Sequence, residues 1–400
     1  MSIISERLKV IKPSPTIAVT TKARELKAAG KNVIGLGAGE PDFDTRINIK
    51  DAAITAINNG ETKYTAVDGT PELKAAIKQK FAKENNISYE ANEISVGTGA
   101  KQVLYNTFMA SLNEGDEVII PAPYWVSYPD IILLSGGTPI IVECGLKQNF
   151  KITPKQLEDN ITSKTKWLIL NSPSNPTGAA YTKDELTELA NILKKHPNIY
   201  ILSDDIYEHI VYDDFKFTTI AEIAPELKER TITLNGVSKA YSMTGWRIGF
   251  AGGNKDLIKA ISIIQSQSTS NPSSISQAAA IEALNGPQEY IKENALMFQG
   301  RRDLVLNRLN DIPGLSTFKP QGAFYVFPYC ADLFGKKTPK GEVIKNSTEL
   351  AGYLLEDALV AVVPGSAFGT EGYFRISYAT SNELLEQACE RIKNSLAKLS

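Results

Sequence analysis

Short apolar runs rich in β-branched residues recur through the middle of the chain, at 94–96, 117–120, 139–142, 167–170, 200–203, 231–234 and 247–251. Their length and composition are those of parallel strands covered on both faces. Between most of them lie helix-patterned stretches at 101–112, 153–160 and 182–196. Thr182 followed three residues later by Glu185 makes a capping box for the last of these. A strand–helix alternation of this kind predicts an α/β fold with an open, mostly parallel central sheet and helices on both faces.

Beyond residue 290 the pattern changes. A long helical stretch (290–309) leads to 322–327, a helix near 348–355, strand candidates at 360–363 and 374–378, and a final helix over 382–399. These features predict a smaller α+β domain. Prolines make the segment Lys12-Pro13-Ser14-Pro15 an extended arm. The expected division is an N-terminal arm with part of the small domain (1–45), a large domain (46–290) and a C-terminal small domain (291–400).

Hydrophobic residues make up 42% of the 400 positions, enough for a sizeable core, and the formal net charge is −2. That balance argues against a nucleic-acid binder working through a broad basic surface. The N-terminus has no long apolar stretch or cleavage pattern, and no apolar run could span a bilayer. Neither a membrane nor a nucleic acid is an expected partner. Cys144, Cys330 and Cys389 are scattered, with no CxxC pair, which predicts buried free thiols, no metal site and a cytoplasmic setting. The only histidines are His196 and His209, and both read as structural. Proton transfer in an enzyme of this composition falls to Lys, Tyr or a carboxylate.

The strongest chemical signal is Ser238-Lys239-Ala240-Tyr241-Ser242-Met243-Thr244-Gly245-Trp246-Arg247-Ile248-Gly249. A lysine in a small, polar loop after an apolar strand can form an imine with an aldehyde once burial or nearby cations deprotonate it. Arg247 can grip a phosphate. Aldehyde plus phosphate describes pyridoxal 5'-phosphate (PLP). Alone, this pair could equally be a surface lysine and a surface arginine. A second element, Ser203-Asp204-Asp205-Ile206-Tyr207-Glu208, places a carboxylate at the C-terminal end of a strand, where open α/β sheets bind ligands. Asp204 would hold the proton on the cofactor's ring nitrogen, and Tyr207 would donate to its ring oxygen. Asp205 reads as a solvated turn residue. In Asn171-Ser172-Pro173-Ser174-Asn175-Pro176-Thr177-Gly178, Asn175 can bond both cofactor and substrate. The turn Gly97-Thr98-Gly99-Ala100-Lys101-Gln102 offers free backbone N–H groups to a phosphate.

Together these motifs, in this order, resemble the class I aminotransferases of PLP fold type I, from about residue 14 to the C-terminus. Within that family Gly39-Glu40-Pro41-Asp42-Phe43-Asp44-Thr45, Pro123-Tyr124-Trp125-Val126-Ser127-Tyr128-Pro129 and Arg375-Ile376-Ser377-Tyr378-Ala379-Thr380 look like the bacterial aspartate/prephenate branch. The resemblance implies transamination between amino acids and keto acids, with aspartate, glutamate and prephenate in view. It implies that Lys239 carries the cofactor and moves the proton. Trp125 would stack on the cofactor ring, Ser238 would meet the phosphate, Gly39 would offer its N–H to the substrate and Arg375 would clamp the α-carboxylate. It also implies a homodimer in which Tyr64 reaches the neighbouring subunit's phosphate. Lysines at positions matching Lys12 and Lys101 read the distal carboxylate in that branch. Asp205 stands where Glu is usual, and Ala100 where a glycine is common.

Other readings are a nicotinamide dehydrogenase, a non-catalytic relative, a PLP lyase or synthase, and an aminotransferase for aromatic amino acids or alanine. The glycine-rich run Gly35-Leu36-Gly37-Ala38-Gly39 suggests the first, but Glu40-Pro41-Asp42 intervenes where a helix should begin. The second would lack Lys239. Arg375 and Trp125 favour transamination over the third.

Overall fold

The computed structural model describes residues 3–11 and 15–400, with backbone alone at 15 and 16. Its strands are β1 (Ile34–Gly35), β2 (Ile94–Thr98), β3 (Glu117–Ala122), β4 (Thr138–Glu143), β5 (Thr165–Asn171), β6 (Tyr200–Asp204), β7 (Thr231–Gly236), β8 (Ile248–Gly252), β9 (Tyr325–Val326), β10 (Val360–Ala361), β11 (Val363–Pro364) and β12 (Phe374–Ser377). Seven of them form one sheet in the order β2-β8-β7-β6-β5-β3-β4. Pairing is parallel throughout except at β8, which runs antiparallel to both neighbours.

Strand β5 shows why the sheet must be covered on both sides. With side chains alternating, Trp167 and Ile169 enter one apolar cluster with Val103, Phe108 and Ile261, while Leu168 and Leu170 enter another with Leu186, Leu189 and Leu193. The helices Ala100–Ser111 and Lys255–Ser268 thus cover one face, and Lys183–Lys195 the other. The predicted capping box holds: Thr182 Oγ1 accepts from the Glu185 amide, and the Glu185 carboxylate accepts from the Thr182 amide at 2.8 Å.

Strands β11, β12 and β9 make a separate antiparallel sheet. The candidate strand at 360–363 is two short strands with different partners, since β10 pairs with β1 and β11 with β12. Ile34 and Leu36 pack in one cluster with Phe324, Leu350, Ile376 and Ile392, so the chain's beginning joins its end. The prolines of the arm do not all extend it. Pro15 opens the helix Pro15–Ala28, where a first-turn proline loses no helical bond and its fixed φ fits the helix. No helix among the described residues is long and apolar enough to cross a membrane.

Candidate active site

The parallel register sets Asn171, the last residue of β5, beside Asp204, the last residue of β6. Both border a cavity of about 450 Å³ at the C-terminal ends of the central strands. Asn171 orders its surroundings. Its amide nitrogen donates to the Asp204 carbonyl at 2.9 Å, and its side-chain oxygen accepts from the Asn175 amide at 2.9 Å. Asn175 is thereby held at the cavity wall.

Asp204 is buried, with Oδ2 accepting from the Tyr128 hydroxyl at 2.6 Å. No cation lies within ion-pair distance among the described residues. Burial therefore pushes its carboxyl up to about 6, against the pull of Tyr128, the Ile206 amide and Lys239. Tyr207 is also buried, its hydroxyl sharing a 2.8 Å hydrogen bond with that of Tyr325. Asp205 departs from the expected solvated turn. It is buried on the far side of the strand end, accepting from Ser203 Oγ at 2.7 Å, because successive residues there point to opposite faces.

Lys239 follows β7 and extends its amine into the cavity, donating to the Gly39 carbonyl at 2.6 Å. Burial lowers this amine to about 8; Glu40 opposes the shift, while Arg247 and Arg375 add to it. The backbone of Gly99 has φ +83° and caps the helix Ala100–Ser111. A Cβ at Gly99 would strike the Arg247 guanidinium, so a glycine is needed there for both the turn and the contact. Arg247, at φ +58°, and the buried Ser238 complete a basic pocket around the N-terminus of this twelve-residue helix.

On the opposite lobe, β12 carries Arg375. Its guanidinium is buried, donating from Nη1 to Asn175 Oδ1 at 2.8 Å and from Nη2 to the Gly37 carbonyl at 2.6 Å. It lies against the faces of Tyr325 and Phe368, at 4.5 and 5.0 Å. Its Nε is buried with no hydrogen-bond partner among the described residues. Trp125 lines the cavity with the Lys101 amine 4.8 Å from its ring centre.

Two expected residues stand apart. Tyr64 is 92% exposed, between the helices Ile47–Asn58 and Pro71–Asn85, and does not line this cavity. Lys12 lies outside the described residues. Sequence reasoning passed over Tyr128, Tyr325, Asn171 and Arg24, all at the cavity wall. Tyr128 and Asn171 lie inside motifs already quoted, so their location, though not their bonding, was open to notice. All three cysteines are buried and free, as expected.

A family model described as aminotransferase class I and II matches residues 31–392. A probable aspartate/prephenate aminotransferase of Rickettsia felis is 64% identical, over 100% of this chain and 98% of its own length. The aspartate/prephenate aminotransferase of Cereibacter sphaeroides is 59% identical over 100% of both chains. The crystal structure of the aspartate aminotransferase from Rhizobium meliloti superposes with a TM-score of 0.97 at 56% identity, again over 100% of both chains.

Proposed function

The chain belongs to the class I and II aminotransferases, and on that premise we propose that it uses PLP to move amino groups between aspartate or glutamate and keto acids, prephenate among them. The observation that carries this reading is the convergence of Lys239, Asp204 and Arg375 on one cavity. The residues fit the cofactor. A buried carboxylate without a cation awaits a protonated ring nitrogen, and a basic helix N-terminus awaits a phosphate. Arg375 lines the same space, and its buried Nε has no hydrogen-bond partner among the described residues.

When bound, PLP supplies the electron sink that makes a substrate Cα–H acidic. The chain's own residues do the rest. Arg247, Ser238 and the N–H groups of Ala100 and Lys101 hold the phosphate, while the Gly99 N–H donates to the Gly97 carbonyl at 2.8 Å. Asp204, fixed by Tyr128, keeps the ring nitrogen protonated; Tyr207 donates to the ring oxygen and Trp125 covers the ring face. Arg375 clamps the α-carboxylate, helped by Asn175 and the Gly39 N–H, and so aims the Cα–H at Lys239. Lys239 Nζ, with its affinity for protons lowered by burial, would take that proton from Cα and deliver it to the cofactor's C4′ carbon within the same half-reaction, and would carry it the opposite way in the second. A panel of amino donors and keto acids tests the reading; it fails if aspartate and glutamate are not preferred donors.

The proposed unit is a homodimer. Its support is the exposure of Tyr64, which a partner's phosphate would cover. Tyr64→Ala is expected to weaken cofactor binding about tenfold, the scale of one charge-assisted hydrogen bond. Mixing Tyr64→Ala with Lys239→Ala chains, followed by subunit exchange, is expected to restore activity, because each heterodimer then holds one intact site. No recovery in exchanged heterodimers would refute the shared site.

A second carboxylate on the substrate needs a cation, since burying it unpaired is costly. Lys101 and Lys12 are proposed for it, Lys101 supported by its place at the cavity wall. Lys101→Ser is expected to lower kcat/KM for aspartate by ~10²-fold and leave monocarboxylic amino acids nearly unchanged. Equal losses for both classes would place distal recognition elsewhere. The proposed domain boundaries fall at 46 and 291, supported by Ile34 and Leu36 packing with the C-terminal elements. The proposed setting is cytoplasmic, supported by three free thiols.

A further inference from the structure

The helix Pro15–Ala28 presents two faces. Val19, Ala23 and Leu26 pack into an apolar cluster with Val33 and Ala361. At about 100° per residue, Ile17, Thr20, Thr21 and Arg24 fall on the other side, and all four line the cavity that receives Lys239. The helix is therefore a wall of the site, and Arg24 is the charged group on that wall.

Five cations line this cavity: Arg24, Lys101, Lys239, Arg247 and Arg375. Facing them are the carboxylates of Asp204 and Glu40, and Glu40 already accepts from Thr244 Oγ1 at 2.8 Å. Phosphate, α-carboxylate and proton transfer occupy Arg247, Arg375 and Lys239 in the proposed function. Lys101 is seated on the first turn of the helix Ala100–Ser111, against the Trp125 ring. Arg24 is exposed and has no ion pair among the described residues; the nearby Lys22 and Glu25 pair with each other at 3.7 Å. A donor and an acceptor differing by one methylene, anchored alike at Arg375, place their distal carboxylates at different depths. One seated lysine cannot meet both in the same geometry, whereas a long arginine fork on another element can meet the second.

We propose that Arg24 is a specificity-determining residue that binds the distal carboxylate of the five-carbon substrates, glutamate and 2-oxoglutarate. The inference rests on the dicarboxylate reading given above.

The test uses Arg24→Gln and Arg24→Lys holoenzymes. In Arg24→Gln, kcat/KM for glutamate and 2-oxoglutarate is expected to fall about tenfold, the scale of one partly solvated charge-assisted hydrogen bond. Aspartate should lose less, and alanine should be unchanged. Arg24→Lys should recover part of the loss. Calorimetry with unreactive diacids gives a second readout: glutarate binding should weaken in Arg24→Gln while succinate binding holds. A preference for dicarboxylic substrates that survives Arg24→Gln, with glutarate affinity intact, overturns the assignment alone. Equal losses for alanine and glutamate overturn it as well. Wild-type enzyme with no preference for dicarboxylic over monocarboxylic donors overturns the functional reading, and this inference with it.

Discussion

Lys239→Ala is expected to lower transamination by more than about 10³-fold while the protein still binds PLP. The variant removes the amine proposed to take the Cα proton, and general base catalysis by a positioned side chain is worth up to about 10⁴-fold. Binding is expected to survive because the proposed phosphate pocket, with Ala100, Lys101, Ser238 and Arg247 at the cavity wall, does not depend on Lys239, and Asp204 would still be there to meet the ring nitrogen. Two measurements separate these parts. Borohydride reduction followed by peptide mass spectrometry should locate the cofactor on Lys239 in the wild type and on no residue in the variant. An added small amine should restore part of the variant's rate, as a mobile base in place of a fixed one. Turnover within tenfold of wild type in Lys239→Ala would mean that another group carries the proton.

Much of the site was legible because its chemistry sits at strand ends, and strand ends can be read from apolar runs. Asp204, Asn175, Lys239 and the Gly99 turn each follow such a run by a few residues. The covered, mostly parallel sheet was legible for the same reason. The partners of these residues were not. Tyr128 reaches Asp204 across 76 positions, and Tyr325 reaches Tyr207 across 118. Nothing local distinguishes a tyrosine that will donate to a buried carboxylate from one that packs. Asp205 misled for a related reason. An acidic pair after a strand looks solvated in sequence, yet the alternation of side chains sends one carboxylate to the cavity and the other into the protein, against Ser203. The helix Ser274–Asn285 went unnoticed because its small apolar residues, Ala279, Ala280 and Ala283, are packed against the helices Ile47–Asn58 and Pro71–Asn85 and leave little amphipathic signal. Arg24 was hidden by fold: a lysine- and arginine-bearing helix looks like a solvated surface until a cavity is found along one of its faces.

Asp204→Ala is expected to reduce kcat by about 10³-fold, the upper end of what one aligned electrostatic partner contributes in a closed site, with a much smaller loss of PLP affinity. Asp204→Glu should keep more activity than Ala, since the charge remains. The stability of the cofactor-free protein offers an independent check with a definite sign. Burial raises Asp204 from 3.8 to about 6, so between those values the folded chain binds a proton that the unfolded chain has released. Its favourable contribution is present below about pH 3.8 and is lost as pH rises through 6, a cost of about 3 kcal/mol at neutral pH. Asp204→Asn keeps an acceptor for Tyr128 without the charge. At pH 7.5 the cofactor-free variant should therefore melt above wild type, and the gap should close as pH approaches 4. Saturating PLP should reverse the order, because a cation beside Asp204 turns the buried charge from a cost into an ion pair, and a neutral amide cannot respond in that way. If PLP stabilises Asp204→Asn as strongly as wild type, Asp204 does not face the ring nitrogen, whatever the variant's effect on rate.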